Sequence, residues 1–260
     1  MQPCLERKLF VSQVQIIGID AIPEIQPNDA LAEIILRSAA SSQITMLEGD
    51  ILVVTHKIVS KSEGQLVDLT TIEPSPFATS YASTWGKDAR QIEVVLRESA
   101  RIVRMDHGIM ISETRHGFVC ANAGVDASNV PGPERVCLLP KKPDESAETL
   151  RQQFHTALGF DVPVVISDSW GRPWREGIVN VAIGVAGLVP LTDYRGMTDP
   201  WGLRLQASVL AVADELAAAA ELVMGKIDGR PVAIVRGYSW QSGVGTGRDL
   251  LMDSRRDMFR

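Results

Sequence analysis

The stretch VVISDSWGRPWREG, residues 164–177, runs from an apolar segment directly into charged and hydroxyl-bearing side chains. The apolar part predicts a short buried strand, and Asp168 and Ser169 follow at its end. Strand ends are a usual position for ligand-binding groups in proteins that mix helices and strands. Desolvating an isolated carboxylate is costly, so we expect either a bound cation or a turn to hold Asp168.

Predicted strands and helices interleave irregularly on both sides of this stretch. LEGDILVVTH (47–56) and PVAIVRGY (231–238) predict strands, whereas DESAETLRQQFHTALGF (144–160) and LRLQASVLAVADELAAAAELVMGK (203–226) predict helices that end at glycines. No P-loop motif is present, and no GxGxxG follows a strand. The fold class is therefore α+β, or mixed α/β, without a classical Rossmann or P-loop unit.

Four segments carry local expectations. Asn28 or Asp29 is expected to cap the first helix, and the segment after the strand at 47–56, with Lys57 and Lys61, is expected to be extended or turning. Residues 70–89, rich in Ser, Thr and Pro, read as a mobile connection. SGVGTGRD (242–249) is interpreted as a surface loop rather than an anion-binding nest.

Composition excludes several classes of protein. The chain has 260 residues, 45% of them apolar and 22% charged, which is ordinary for a globular protein of one or two domains. Its net charge is −6, with scattered lysines and arginines, so no nucleic-acid partner is expected. No apolar run is long enough to span a membrane, and three cysteines without a CxxC pair predict a cytoplasmic protein with neither disulfide framework nor sulfur-rich zinc site.

Candidate metal ligands lie in two segments. Asp126 and Asn129 belong to AGVDASNV (123–130), where Asp126 either caps its own turn or binds a cation. Asp126, Asp168 and the Ser169 hydroxyl would form an acceptable partial ligand set for Mg²⁺ or Mn²⁺. Sequence periodicity does not establish that the two segments meet.

Basic side chains near these carboxylates have alternative readings. Arg172 and Arg175 suit the recognition of a carboxylate or phosphate, or they form ion pairs with Asp168 or Glu176. Lys57 and Lys61 can reach phosphate oxygens or remain solvated. His116 is more typical of a structural histidine.

Four motifs give a specific resemblance. VTHKIVSKSEG, CANAGVDASNV, ISDSWGRPWREG and ADELAAAAELVMGK occur here in the order and with about the spacing seen in the coenzyme F420-0:L-glutamate ligases, the γ-glutamyl ligase family. The resemblance covers the chain from about Ile16 to Gly237. It implies one family-type unit over residues 1–260 with two intimately associated subdomains, of which one (1–90 plus 200–260) holds the other (91–199) as an insertion.

The resemblance also implies a function. The family adds L-glutamate to coenzyme F420-0 by an amide bond, with further γ-linked glutamates as an extension, and uses GTP with Mg²⁺ or Mn²⁺, two ions being expected and K⁺ a further candidate. An acyl-phosphate intermediate and a homodimer are implied as well. The alternatives are a related carboxylate–amine ligase with a different acid acceptor, or a nucleotide- and metal-binding module without turnover.

Site residues are carried over from the matched motifs. Asp126 and Asp168 would bind a first metal ion and Ser169 a second, and Arg172 or Arg175 would clamp a substrate carboxylate. The implied nucleotide contacts are Ala21, Ile22, Pro23, Glu24, His56, Lys61, Asn129, Met224 and Gly225.

Three positions depart from the family pattern. Ala21 replaces a frequent glycine and is expected to keep its loop out of left-handed backbone angles. His56 replaces a frequent serine. Lys226 stands where some relatives carry a side chain that helps bind the second metal, which a cationic lysine cannot do.

Overall fold

The computed structural model describes residues 13–258. The segment FVSQVQIIGI (10–19), whose alternating and then apolar pattern predicts the first strand, begins outside the described residues, and Cys4 lies outside them. The helices are α1 (Leu31–Ser41), α2 (His56–Ser62), α3 (Pro76–Trp85), α4 (Ala89–Glu98), α5 (Pro143–Leu158) and α6 (Val212–Met224). Within the described part of the chain, none of them has the length and apolarity needed to cross a bilayer.

Twelve strands accompany these helices in residues 13–258. They are β1 (Gln15–Gly18), β2 (Ile51–Thr55), β3 (Leu66–Asp68), β4 (Ser99–Asp106), β5 (Ile109–Thr114), β6 (Val119–Ala121), β7 (Arg135–Cys137), β8 (Val164–Arg172), β9 (Arg175–Ala186), β10 (Thr192–Asp193), β11 (Val209–Leu210) and β12 (Val232–Arg236). The predicted mixed α+β class is confirmed.

The main sheet has five strands in the order β1-β12-β2-β8-β9. Only β2 and β8 run parallel, and the other neighbours are antiparallel. Alternate residues of β2 face opposite sides, as the period of a strand requires. Leu52 and Val54 pack into a core with α1 and α5, whereas Ile51 and Val53 pack into a second core with α6. Helices thus cover both faces, which explains why β2 is a continuous apolar run.

A third core lies beside this sheet. It joins α3 and α4 to the sheet β4-β5-β6 and to the pair β3-β7. Met110 and Val136, both fully buried, contribute to it from β5 and β7. The turn signals DHG, RHG and NVPGPER in a strand-like middle third predict strands there, and β4 to β7 confirm this prediction. Cys120 and Cys137 are buried free thiols, and burial raises their pKa values to about 12 and about 11.

The expectation of a mobile connection over residues 70–89 is wrong. Helix α3 occupies the centre of this segment, with the Ser75 hydroxyl accepting the Ala78 amide and Gly86 closing the helix in the left-handed conformation. Ala78 and Ala82, four residues apart, are buried on one face. The Ser and Thr residues that suggested a loop lie mostly on the exposed faces of this helix.

Three other expectations need correction. Helix α1 begins at Leu31 without a side-chain cap, because the Asp29 carboxylate instead accepts the Gln26 amide in the preceding turn. The lysine-bearing segment after β2 is helix α2, which begins directly at His56. Helix α6 begins at Val212 rather than near Leu203, because the intervening segment contains β11, which pairs with β10.

The SGVGTGRD segment is a packed turn rather than a loose surface loop. Thr246 and Asp249 form a capping box around a 3₁₀ turn, Gly247–Leu250. The buried Gly247 donates its amide to the Asp144 carboxylate at 2.6 Å, which ties the turn to the start of α5. A Cβ atom at Gly247 would lie 2.6 Å from the Ile183 carbonyl oxygen, so glycine is required there by close backbone approach.

We expect Gly247→Ala to lower the free energy of unfolding by about 2 kcal/mol, the typical cost of overpacking a tight site. Gly171→Ala is the matched control, because a Cβ there meets no atom within 4 Å; it should change stability by less than about 0.5 kcal/mol. Urea denaturation measures both. Equal stability of the two variants would contradict the close approach at Gly247.

Candidate active site

A cleft of about 430 Å³ opens at the point where the parallel pairing of β2 with β8 ends. Thr55 and Ser167 are paired at this point, and both line the cleft. The remaining walls come from the loop at 22–25, helix α2, the turn at 129–131 and the segment 225–231. Its volume is in the range of small-molecule and cofactor sites.

Helix α2 brings both predicted metal-binding carboxylates to its first turn. The His56 Nε2 atom lies 3.3 Å from Asp168 Oδ1, and the next residue, Lys57, donates to Asp126 Oδ2 at 2.5 Å. Asp126 and Asp168 belong to segments about forty residues apart, so this helix is what links them. The structure thus brings Asp168 into the cleft wall and Asp126 to the Lys57 side of α2.

The Asp168 carboxylate is held by three groups. It accepts the Ser169 amide at 2.7 Å and the Trp170 indole N–H at 2.8 Å, beside the His56 ring. Its side chain is only 12% exposed. Burial acts to raise the pKa of Asp168, but the His56 ring, the indole and the amide lower it below its usual value. Asp168 is therefore an anion fixed in orientation.

The Asp126 carboxylate caps its own turn, as one of the two interpretations from the sequence predicts, and it keeps the negative charge that the other requires. It caps its own turn by accepting the Ser128 amide at 2.8 Å, and it also pairs with Lys57. Burial acts to raise the pKa of Asp126, but hydrogen bonds from Lys57 and Ser128 lower it to about 2. Being a turn cap does not remove its charge, so Asp126 stays a candidate ligand.

The Asn129 turn meets the end of α6 across the cleft. Asn129 has a left-handed backbone angle, φ 56°, and its amide donates to the Lys226 carbonyl oxygen at 3.3 Å. Gly225 ends α6 with φ 60° and lines the cleft, as Asn129 does. Met224 is instead 1% exposed and packs in the α6 core.

Sequence reasoning missed several polar residues of the cleft, among them Asn180, Glu221 and Ser167. Asn180 on β9 lies opposite Ser169 and is 4% exposed. Its amide donates to Glu221 Oε2 at 2.9 Å, which fixes that carboxylate in the wall. An asparagine within the apolar run VNVAIGVAG was the available signal. The neighbouring Ser167 hydroxyl is buried without a hydrogen-bond partner in residues 13–258.

The AIPE loop contributes three residues to the cleft wall: Ile22, Pro23 and Glu24. Glu24 accepts the Lys61 ammonium at 2.6 Å, and Lys61 is almost fully buried on α2. The expectation that Ala21 avoids left-handed angles is wrong, because its φ is 59°. The Ser38 hydroxyl donates to the Ala21 carbonyl oxygen at 3.1 Å and helps to hold this conformation.

The two predicted arginine clamps lie elsewhere. Arg172 and Arg175 face each other at the tip of the β8–β9 hairpin, where both are exposed, and neither lines the cleft. Arg172 donates to the Glu176 carbonyl oxygen at 3.2 Å rather than pairing with Asp168. His116, read as structural, donates from Nε2 to the Pro140 carbonyl oxygen and stacks on Phe118.

Basic groups outnumber acidic ones in the cleft lining, although the whole chain carries a net charge of −6. The lining contains Lys57, Lys61, Lys226 and Arg230 against Glu24, Asp168 and Glu221. Within the described ranges no group of three or more His, Cys, Asp or Glu side chains is arranged to hold a metal ion. Two ionised carboxylates nevertheless fit the kind of magnesium site that substrate phosphates and waters complete.

A second metal ion fits less well beside Ser169 than the first does beside Asp126 and Asp168. The Lys226 Nζ atom lies 3.2 Å from the Ser169 hydroxyl oxygen, so an ammonium group already occupies the neighbourhood of that oxygen.

Comparison with known proteins gives one consistent result. The family model described as F420-0:Gamma-glutamyl ligase matches residues 19–237. The proteins named Coenzyme F420:L-glutamate ligase from Methanothermobacter thermautotrophicus and Methanopyrus kandleri are 45% and 46% identical over 250 and 252 residues. These alignments cover 95% and 94% of this chain and 99% and 98% of the relatives. The relative of that name from Methanocaldococcus jannaschii is 42% identical over 251 residues, 95% of this chain and 97% of its own.

The left-handed angle at Ala21 gives a stability test. We expect Ala21→Gly to be neutral or to stabilise the protein by up to about 1 kcal/mol, since relief of the left-handed strain is partly offset by the entropy of glycine. Ala21→Val should destabilise it by more than about 1 kcal/mol, because a β-branched residue tolerates this region poorly. Urea unfolding midpoints measure both. Equal stability of the valine and glycine variants would refute the left-handed conformation at Ala21.

Proposed function

This chain belongs to the F420-0:gamma-glutamyl ligase family, and from that premise we propose that it joins L-glutamate to coenzyme F420-0 through an amide bond, using GTP and a divalent metal ion. The observation that carries the proposal is the cation-rich cleft beside two ionised carboxylates, where the parallel pairing of β2 with β8 ends. Repeated addition of γ-linked glutamates, a requirement for K⁺ and a homodimer remain predictions.

The cleft suits a polyphosphate. A triphosphate carries several negative charges, and four basic side chains in the lining, three of them paired with carboxylates, would supply compensating charge without a P-loop. Lys61 is the most buried of these and lies beside the AIPE loop, so it is the proposed nucleotide contact together with Ile22, Pro23, Glu24 and Asn129. His56, fixed between Asp168 and the Ser60 hydroxyl, forms part of the same floor.

The proposed chemistry answers a general problem of amide formation. A free carboxylate is a poor acyl donor, because its oxygen is a poor leaving group and its charge repels the amine. In the proposed reaction a carboxylate oxygen of the acceptor attacks the γ-phosphorus of GTP and GDP leaves. The amine of L-glutamate, having lost a proton, then attacks the acyl phosphate, and inorganic phosphate leaves with that oxygen.

The residues of the cleft would position and neutralise the reacting groups. Asp126 and Asp168 would hold the divalent ion, which when bound would neutralise charge on the transferring phosphoryl group. The hydrogen bonds from Trp170 and the Ser169 amide keep the Asp168 carboxylate in one orientation before substrate arrives. Arg172 and Arg175 lie at a hairpin tip outside the lining, so a role as a substrate clamp would require a substrate that extends beyond the cleft.

We expect Asp126→Asn and Asp168→Asn each to lower turnover roughly a hundredfold or more, the scale of losing a major electrostatic stabiliser. The amide keeps the shape of the side chain and removes the anion that a hard cation requires. Initial rates at limiting Mn²⁺ and circular dichroism spectra measure activity and fold. Asp253→Asn, an exposed pair with Arg255, is the control. Near-normal turnover of either variant would make that aspartate a turn cap only.

The reaction itself is tested with ¹⁸O in the acceptor carboxylate. Purified protein with GTP, Mn²⁺, L-glutamate and the non-glutamylated coenzyme should yield a product heavier by one glutamate residue, and the released phosphate should carry one labelled oxygen, both by mass spectrometry. Unlabelled phosphate with glutamylated product would reject the acyl phosphate alone. If no product forms but GDP is released when a different acid acceptor is supplied, the protein is a related ligase. If no GDP is released with any acceptor, the protein is a nucleotide- and metal-binding module without turnover.

A further inference from the structure

Lys226 differs from the other basic side chains of the cleft because no acidic side chain among residues 13–258 pairs with it. Lys57 pairs with Asp126, Lys61 with Glu24, and Arg230 with Asp20. No carboxylate in residues 13–258 lies within ion-pair distance of the Lys226 ammonium, which instead donates to the Ser169 hydroxyl at 3.2 Å. Its ammonium is therefore exposed to solvent, without a paired carboxylate in the described residues, and it lines the cleft.

Both ends of this contact are held in place. The backbone of Lys226 follows Gly225 at the end of α6, and its carbonyl oxygen accepts the Asn129 amide from the opposite wall. Ser169 lies within the β8–β9 ladder, where it pairs with Asn180. Asn180 in turn holds the Glu221 carboxylate of α6. Helix α6 and strand β8 are thus fixed relative to each other at the point where the ammonium meets the hydroxyl.

This arrangement conflicts with a metal ion at Ser169. A magnesium–oxygen bond is about 2.1 Å long, so an ion bound to the Ser169 oxygen would lie within about 5 Å of the Lys226 nitrogen. Two like charges at that separation repel, and no carboxylate pairs with the lysine to offset the repulsion. An ammonium also has three donors. The hydroxyl accepts one of them, which leaves two for other oxygen atoms.

From these contacts we propose that the Lys226 ammonium, held by Ser169, takes the place of a second metal ion and binds the polyphosphate chain of the nucleotide directly. The cleft then holds one divalent ion per chain, at Asp126 and Asp168. This inference rests on the proposed use of a nucleoside triphosphate. It extends that proposal by assigning one side of the polyphosphate to a residue rather than to a metal ion.

The test counts metal ions rather than turnover. Bound Mn²⁺ is measured by electron paramagnetic resonance with a non-hydrolysable GTP analogue for the wild type, Lys226→Gln and Ser169→Ala. We expect one Mn²⁺ per wild-type chain and a second, weaker Mn²⁺ in Lys226→Gln, where a neutral amide oxygen replaces the ammonium. Ser169→Ala should keep one ion. Two ions in the wild type, with loss of one in Ser169→Ala, would overturn the proposal.

Nucleotide affinity gives a second readout. At low Mn²⁺, Lys226→Gln should bind the analogue roughly 10- to 100-fold more weakly, the scale of one hydrogen bond to a charged group, and higher Mn²⁺ should restore part of the loss. Lys87→Gln removes the same charge from an exposed position outside the cleft and should bind like the wild type. Thermal unfolding followed by circular dichroism checks that all variants are folded.

The outcomes separate this inference from the proposed function. If the analogue binds and Lys226→Gln changes neither affinity nor metal count, only the role of Lys226 fails. If the analogue does not bind but inorganic tripolyphosphate does, in a manner that depends on Lys226, the nucleotide assignment fails and the role of Lys226 stands. If neither probe binds to the wild type, both proposals are overturned.

Discussion

The parallel pairing of β2 with β8 is the constraint on which the candidate site depends. Four residue pairs, from Leu52–Val164 to Thr55–Ser167, align the two strands, and β8 continues to Arg172 beyond the point where this pairing ends. Parallel neighbours need a crossover connection, and here it contains α5 and the third core. His56, directly after β2, and Asp168, within β8, therefore become neighbours although the long connection separates them in the sequence. The apolar side chains of β2 and β8, buried on both faces, hold this pairing rigidly.

Charge pairing keeps the polar wall of the cleft stable. Buried charges are costly unless they are paired and hydrogen-bonded, and α2 supplies a basic side chain to each of the carboxylates Asp126 and Glu24. Asp168 is compensated differently, by hydrogen bonds from the indole and the backbone and by the His56 ring. Both aspartates keep lowered pKa values as a result. The two aspartates are therefore ionised at neutral pH and remain available to bind a ligand.

The sequence predicted secondary structure best where a residue pattern is compatible with only one kind of element. The apolar runs at β2, β8 and β12 and the glycine-terminated helices α5 and α6 were predictable, because burial sets their periodicity. Helix α2 was not, because seven residues that include the β-branched Ile58 and Val59 do not distinguish a helix from a strand. Helix α3 was concealed by its exposed serines and threonines.

The candidate site was predictable as a set of residues and not as an arrangement. Motif resemblance selected Asp126, Asp168 and Lys61, but their contacts with Lys57, His56 and Glu24 are tertiary. The contact between Lys226 and Ser169 joins residues 57 positions apart, and the periodicity of a sequence does not indicate contacts at that separation. The same limit applies to Ala21, whose left-handed angle is imposed by the surrounding loop and not by its own preference.

These pairings also bear on the form in which a nucleotide would enter the cleft. A bare triphosphate that drew Lys57 or Lys61 toward its oxygens would leave Asp126 or Glu24 as a poorly compensated anion. A metal–triphosphate complex brings a cation for Asp126 at the moment when Lys57 is drawn away, so the exchange conserves charge pairing. Lys226 has no carboxylate to leave and can accept phosphate without such an exchange. In the proposed reaction, electrostatics therefore favours entry of the metal complex, with Lys226 as its first contact and the paired lysines following.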